Sequence, residues 1–242
     1  MTANLLMKSI ISAVLSLAIA VSTASAADIV VKHSGSNDPA TEGWTRAATP
    51  STDLSEGPVK GDSGLDAWKI KDDSKQQEDM MYTLPLSDEQ LAQASSAGWS
   101  LKANLRIVNP GDDADSAIQL AFGDGTTLFN MFIGSTTAGD PYVVCSVPQT
   151  ASTPNFVFQG GGSGYHLYEM RYDPASKNVS VFIDDVEQIT GYAGVPSTKK
   201  IVSWGAERSV TVGEANYNFV EFSSPPSKSA QTQPATQPAT QQ

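Results

Sequence analysis

Residues 165–185, Tyr-His-Leu-Tyr-Glu-Met-Arg-Tyr-Asp-Pro-Ala-Ser-Lys-Asn-Val-Ser-Val-Phe-Ile-Asp-Asp, read as one β-hairpin. Tyr168, Met170 and Tyr172 alternate with Glu169 and Arg171, so the first strand has an apolar face and a polar one. Asp173-Pro174-Ala175-Ser176-Lys177-Asn178 supplies the turn, because Pro presets φ and Asp and Asn tolerate turn geometry. Val179, Val181 and Ile183 alternate with Ser180 and Phe182 in the second strand, which stops at Asp184-Asp185. A hairpin with one buried face needs a second sheet to cover that face. The expected fold is therefore all-β, an antiparallel sandwich of two sheets.

The same pattern extends in both directions. Ile29-Val30-Val31 is a short first strand, and residues 33–66 read as a long ordered loop with one short strand, anchored by Trp44. Residues 67–72 and 80–84 are strands. Residues 87–94 form a short helix with Ser87 as N-cap, acidic residues in its first turn and Gly98 closing it. Trp99, Leu101, Ala103, Leu105 and Ile107 line one face of a long strand over 99–108. Asn109-Pro110-Gly111-Asp112-Asp113 is a turn, followed by strands at 117–122, 127–133, 142–147, 155–158, 200–204 and 217–222. About a dozen strands separated by turn signals, with a single helix, fit a jelly roll of roughly six or seven strands per sheet.

Both ends of the chain are expected to lie outside this domain. Lys8 followed by the apolar run 9–21 and by Ala24-Ser25-Ala26 has the layout of a secretory signal cut after Ala26. The run is short for a membrane span of about 20 residues. Residues 225–242 carry Pro-Ala-Thr-Gln twice and no large apolar residue, a composition expected to be disordered. Residues 27–224 remain for the folded domain, in a secreted, periplasmic or extracellular protein. A formal net charge of −11 without a basic run gives no electrostatic means of holding nucleic acid or an anionic membrane. Cys145 is the sole cysteine, so burial rather than a disulfide must stabilise the domain; in the apolar run 142–145 it reads as an inert buried thiol.

Four stretches carry a family resemblance. Leu86-Ser87-Asp88-Glu89-Gln90-Leu91-Ala92-Gln93-Ala94-Ser95-Ser96-Ala97-Gly98-Trp99 resembles the helix and strand entry of the lectin-like N-terminal domain of bacterial sialidases. Asp38-Pro39-Ala40-Thr41-Glu42-Gly43-Trp44 resembles its early Gly-Trp loop. Residues 165–185 resemble its central hairpin, although that hairpin alone also fits other concanavalin-like or laminin-G-like jelly rolls. Ser197-Thr198-Lys199-Lys200-Ile201-Val202-Ser203-Trp204-Gly205 resembles its late strand ending in Trp-Gly. The resemblance spans roughly residues 28–222. It implies a jelly-roll carbohydrate-binding module, which in that family binds sialic acid beside a separate catalytic propeller. The family holds the sugar carboxylate with an arginine ahead of an early strand. The matching stretch here, residues 112–118, has Asp112, Asp113 and Asp115 and no arginine. Of the four arginines, Arg106 and Arg171 fall on polar strand faces, while Arg46 and Arg208 fall in expected loops and are the candidate substitutes.

Other residue types supply the remaining candidates. An indole face matches the C–H face of a pyranose. Trp68 and Trp99 sit on alternating strand faces and belong to the core, whereas Trp44 and Trp204 border Gly-rich turns and are open to either role. Tyr192, in Gly191-Tyr192-Ala193-Gly194, reads as an exposed loop aromatic. Asp112, Asp113 and Asp115 are candidate calcium ligands, with a solvated acidic turn as the plainer reading. Glu169 and Arg171 share a face as a surface ion pair. His166 beside Glu169 makes no triad, and Gly160-Gly161-Gly162-Ser163-Gly164 lacks the Lys and helix of a phosphate loop. The paired-acid strand motif Glu-x-Asp-x-x-Glu of jelly-roll glucanases is missing. The expected function is a secreted, non-catalytic module that binds a glycan, sialic acid or another. The alternatives are a structural or surface-associated protein that uses the fold, or the tail, for protein or cell-wall contacts, and, last, a glycoside hydrolase or lyase.

Overall fold

A computed structural model describes residues 27–74, 76, 78–109, 117–148, 152–207 and 212–226, and the backbone of 208–209. The signal-like segment, residues 227–242 of the tail, and Asp112, Asp113 and Asp115 lie outside the described residues.

The chain runs through β1 (Ile29–Ser34), a 3-10 turn, β2 (Thr45–Ala48), β3 (Leu54–Asp62), β4 (Leu65–Asp72) and β5 (Glu78–Pro85) to the helix α1 (Asp88–Ala97). It continues through β6 (Trp99–Asn109), β7 (Ile118–Asp124), β8 (Thr127–Ser135), β9 (Pro141–Cys145), β10 (Asn155–Val157), β11 (His166–Asp173), β12 (Asn178–Ile183) and β13 (Val186–Tyr192). It ends with β14 (Val195–Pro196), β15 (Lys200–Ser209) and β16 (Gly213–Ser224). Two antiparallel sheets result. Sheet A has the order β13-β12-β11-β6-β16-β4-β3, with β1 also on β16; sheet B has the order β10-β9-β8-β7-β15-β5-β2, with β14 on β8. This is the expected jelly-roll sandwich, with eight strands per sheet among the described residues.

The opening hairpin is β11–β12, with Tyr168 opposite Ile183 and Asp173 opposite Asn178. Asp173 closes the turn by accepting hydrogen bonds from the Ala175 and Ser176 amides. Strand β6 shows the alternation directly: Trp99, Leu101, Ala103, Leu105 and Ile107 are buried, and Ser100, Lys102, Asn104 and Arg106 face outward. Strand β16 changes parity part-way. Ala215 and Tyr217 are core residues, and so are Val220 and Phe222, because a bulge at Asn218 shifts the register against β6.

Two aromatic clusters fill the space between the sheets. Trp99 packs on Phe122, Phe129, Tyr172 and Phe222. Trp204 lies between His33 and Tyr82, with centroids at 4.7 and 4.8 Å, and touches Trp44 and Tyr217. Gly205 follows Trp204 at φ +136°, and a Cβ there would meet the Met80 carbonyl oxygen at 2.3 Å, so the close approach of β5 to β15 requires glycine. Helix α1 begins as read: Ser87 Oγ accepts from the Gln90 amide while the Gln90 side chain accepts from the Ser87 amide, a complete capping box.

Three sequence expectations need correction. The segment 33–66 holds two strands, the nine-residue β3 among them. Leu-Ser-Glu-Gly-Pro-Val-Lys-Gly-Asp lacks apolar alternation because β3 is an edge strand held by pairing with β4, so packing leaves little imprint on its sequence. Tyr192 ends strand β13 and is 2% exposed. Arg46 and Arg208 lie in β2 and β15, not in loops.

Candidate functional site

The side of sheet B that faces away from the core carries an unusual surface. Cross-strand register places Thr45, Thr83, Ser203, Ala121 and Asn130 in one row across β2, β5, β15, β7 and β8. The next row is Ala47, Met81, Gly205, Gln119 and Phe132. Outward residues of a sandwich are ordinarily wet, yet Gln119 is 1% exposed, and Ala121, Asn130, Ser203 and Met81 are also buried.

Lys199 and Glu207 show the shape of this face. Their side chains meet at 3.4 Å although eight residues separate them. Eight residues of flat strand would span about 26 Å, far beyond what the two side chains can bridge. The segment therefore curls toward this face, which is concave, and the ion pair straps it. Beside the strap lies a cavity of about 460 Å³ between β2, β5 and β15. Met81 and Ile201 give it apolar wall, Thr83 and Ser203 hydroxyls, and Asp79 and Glu207 carboxylates. Asp79 is fixed through its backbone, its amide donating to Thr49 Oγ1 at 3.1 Å and its carbonyl accepting from the Thr49 amide at 2.8 Å. The Asp79 side chain is partly exposed, with Oδ1 shielded from solvent and without a hydrogen-bond partner. Behind Met81, Gln119 Nε2 donates weakly to the Met81 sulfur at 3.4 Å and leaves its own Oε1 unpaired.

A second polar cluster lies on the outer face of sheet A. Asp62 accepts two hydrogen bonds from Arg106, at 3.0 and 2.6 Å, one from Tyr165 at 2.8 Å and one from Asn216 at 2.7 Å. These donors hold its carboxyl below the usual range despite the opposing effect of burial. The carboxylate uses the Arg106 fork from within the chain, so the cluster ties β3 to β6 and β16.

The sequence candidates fall elsewhere. Trp44, Tyr192 and Trp204 are 2%, 2% and 0% exposed and cannot offer a ring face to a sugar. Glycine-flanked positions suggested turns, but Trp204 sits in mid-strand with its face on the core. The Tyr192 hydroxyl is spent on the Asn130 backbone, accepting from its amide and donating to its carbonyl. Trp68 and Trp99 are core residues, as read. Arg46 stands opposite Tyr82, on the core-facing parity, and pairs with Glu56, away from the cavity. The Arg208 side chain lies outside the described residues. Glu169 is buried rather than a surface acid: Ser100 donates to it, and Arg171 covers it while stacking 4.1 Å over Phe182. His166 bonds Asp184 at 2.7 Å and Gly162 O at 3.1 Å and does not engage Glu169. Cys145 is fully buried, with its thiol pushed up to about 12 by desolvation. Among the described residues no group of three or more His, Cys, Asp or Glu is placed to hold a metal ion. Asp79, Ser203 and Glu207 were missed. Asp79 and Glu207 fall just outside the strands read at 80–84 and 200–204, which are longer in the structure, and nothing local brings the two strands side by side.

Comparisons with known proteins agree with this architecture. A family model described as the Vibrio cholerae sialidase lectin insertion matches residues 67–231. The sialidase of Vibrio cholerae serotype O1 is 26% identical over 189 residues, which cover 77% of this chain and 22% of the sialidase. The chain thus spans about a fifth of that relative. Among solved structures, a carbohydrate esterase of the Shiga toxin-encoding bacteriophage phi24B superposes with a TM-score of 0.56 at 12% identity, covering 81% of this chain and 97% of the esterase. A protein of unknown function from Shewanella oneidensis MR-1 gives 0.52 at 11% identity, covering 86% and 91%. At such identities the likeness is one of fold.

Proposed function

This chain belongs to the family of the Vibrio cholerae sialidase lectin insertion, and from that premise we propose that it is a secreted carbohydrate-binding domain without catalytic activity of its own. We assign the sugar to the concave face of sheet B. The observation that carries the assignment is the cavity of about 460 Å³, whose lining interleaves hydroxyl and carboxylate groups with Met81 and Ile201. Small-molecule sites have this size and this mixture, apolar walls for the C–H faces and a few placed polar groups for orientation. The signal-like segment 1–26 supports export.

A glycan array probed with the purified protein tests the reading. Binding is expected, and Ser203→Trp, which fills the cavity from its floor, is expected to abolish it while the fold survives by circular dichroism. Binding that ignores this substitution would place the sugar elsewhere. One observation favours a hydrolytic alternative, since Asp79 and Glu207 are two carboxylates facing one cavity. Release of nitrophenol from a panel of nitrophenyl glycosides, lost in Asp79→Asn and in Glu207→Gln, would establish it over simple binding.

A further inference from the structure

We propose that the cavity between β2, β5 and β15 selects an uncharged sugar residue, held through its hydroxyl groups by Asp79, Ser203 and Glu207, and rejects one bearing a carboxylate. The inference rests on the carbohydrate-binding reading and names the ligand class for that site.

A carboxylate only accepts hydrogen bonds and a sugar hydroxyl donates them, so Asp79 and Glu207 suit vicinal hydroxyls. Asp79 and Glu207 are partly exposed on the cavity lining, and Ser203 is 7% exposed there. A hydrogen bond to an ionised acceptor is stronger than one between neutral groups, so hydroxyls set against these carboxylates are held firmly.

Lys199 is the one cation among the described lining residues, against the carboxylates of Asp79 and Glu207, and it is already committed to Glu207 at 3.4 Å. The described arginines give no help. Arg46 pairs with Glu56 on the core side of sheet B, Arg106 grips Asp62 on the far sheet, and Arg171 covers Glu169 there. A carboxylated sugar entering this cavity would meet two carboxylates and, among the described residues, no free fork of N–H donors. An uncharged one meets acceptors for its hydroxyls and, in Met81 and Ile201, an apolar surface for its ring.

Saturation-transfer NMR titrations of the intact protein test this, with methyl glycosides of neutral hexoses and N-acetylhexosamines in one arm and the methyl glycoside of N-acetylneuraminic acid in the other. The wild type is expected to bind at least one neutral glycoside and to ignore the sialoside. Asp79→Asn should weaken the neutral ligand about tenfold or more, as removal of a charged hydrogen-bond acceptor does. Glu207→Gln should weaken it too and, by freeing Lys199, bring sialoside binding into range. Sialoside binding by the wild type at equal or greater strength would overturn the inference and leave the carbohydrate-binding reading standing. So would neutral binding that neither variant moves. Silence of the wild type in both arms would sink the carbohydrate reading itself.

Discussion

Replacing Trp204 by Ala separates a core indole from a sugar platform. Trp204 is fully buried and packs on four rings, with His33, Tyr82 and Tyr217 at 4.7, 4.8 and 4.9 Å and Trp44 at 5.9 Å. Truncating a buried Trp to Ala costs about 3–5 kcal/mol, and aromatic pairs add about 0.5–1.5 kcal/mol each beyond area. That places the gross loss at the upper end, about 5 kcal/mol. One feature works the other way. The indole Nε1–H is buried without a partner, and removing an unsatisfied group returns about 1 kcal/mol. The net expectation is a loss of about 4 kcal/mol, a large share of the 5–15 kcal/mol typical of a domain. With a urea m-value of about 2.5 kcal/mol/M, the unfolding midpoint should fall by about 1.5 M. Trp204→Phe, which keeps most of the stacking, should lose less than half as much. Urea titration followed by circular dichroism reads both. A Trp204→Ala protein with an unchanged midpoint and abolished glycan binding would refute the packing argument and restore the indole as a ligand contact.

Other predictions concern buried titratable groups. Burial and the neighbouring Glu78, Asp73 and Asp79 raise Asp72 to about 6, and only its Oδ1 is bonded, to the Ser74 amide at 2.8 Å. Its neutral form favours folding below about pH 4, and that contribution is lost as pH rises to about 6. Asp72→Asn should therefore be more stable than wild type by about 2–3 kcal/mol at pH 7.5 and equal to it at pH 3.5, measured by urea unfolding. His33 is the opposite case. Desolvation lowers it despite Glu42 at 2.7 Å, so the unfolded chain takes up the proton first and stability falls as pH drops below 6.5. His33→Gln, able to donate to Glu42, should flatten that slope between pH 7 and 5; an unchanged slope would assign it to another group. Cys145 should resist a thiol reagent in the native protein at pH 8 and react in guanidinium, because its thiol is inaccessible and desolvated. Rapid native labelling would contradict its place in the core.

Particular residues mark the limit of the sequence reading. The β11–β12 hairpin, the capping box at Ser87 and the apolar face of β6 were legible because each is written within a few residues, in a period of two or a cap spacing. Strand β3 was not, because an edge strand with Pro58 takes its order from β4 rather than from a buried face of its own. Trp44, Tyr192 and Trp204 misled for a related reason. Glycine neighbours suggested turns, yet Gly205 serves the approach of β5 to β15, and Tyr192 turns inward to the Asn130 backbone. Parity fixes which way a residue on a sheet faces once the strand is known, but not whether that face is open, strapped or covered.

The sequence by itself determined an all-β sandwich, an acidic surface without a basic run, a buried lone cysteine and the absence of an arginine from the stretch 112–118. Those follow from local periodicity and composition, which need no knowledge of partners. Only the tertiary structure decided that Asp79, Ser203 and Glu207 share a cavity, that Lys199 straps it, and that the described arginines already hold carboxylates of this chain. Strands β5 and β15 lie more than a hundred residues apart in the chain, and their neighbours are chosen by the register of whole strands. Register is set by the sum of many core contacts, so no short stretch of sequence encodes which polar side chains meet across it.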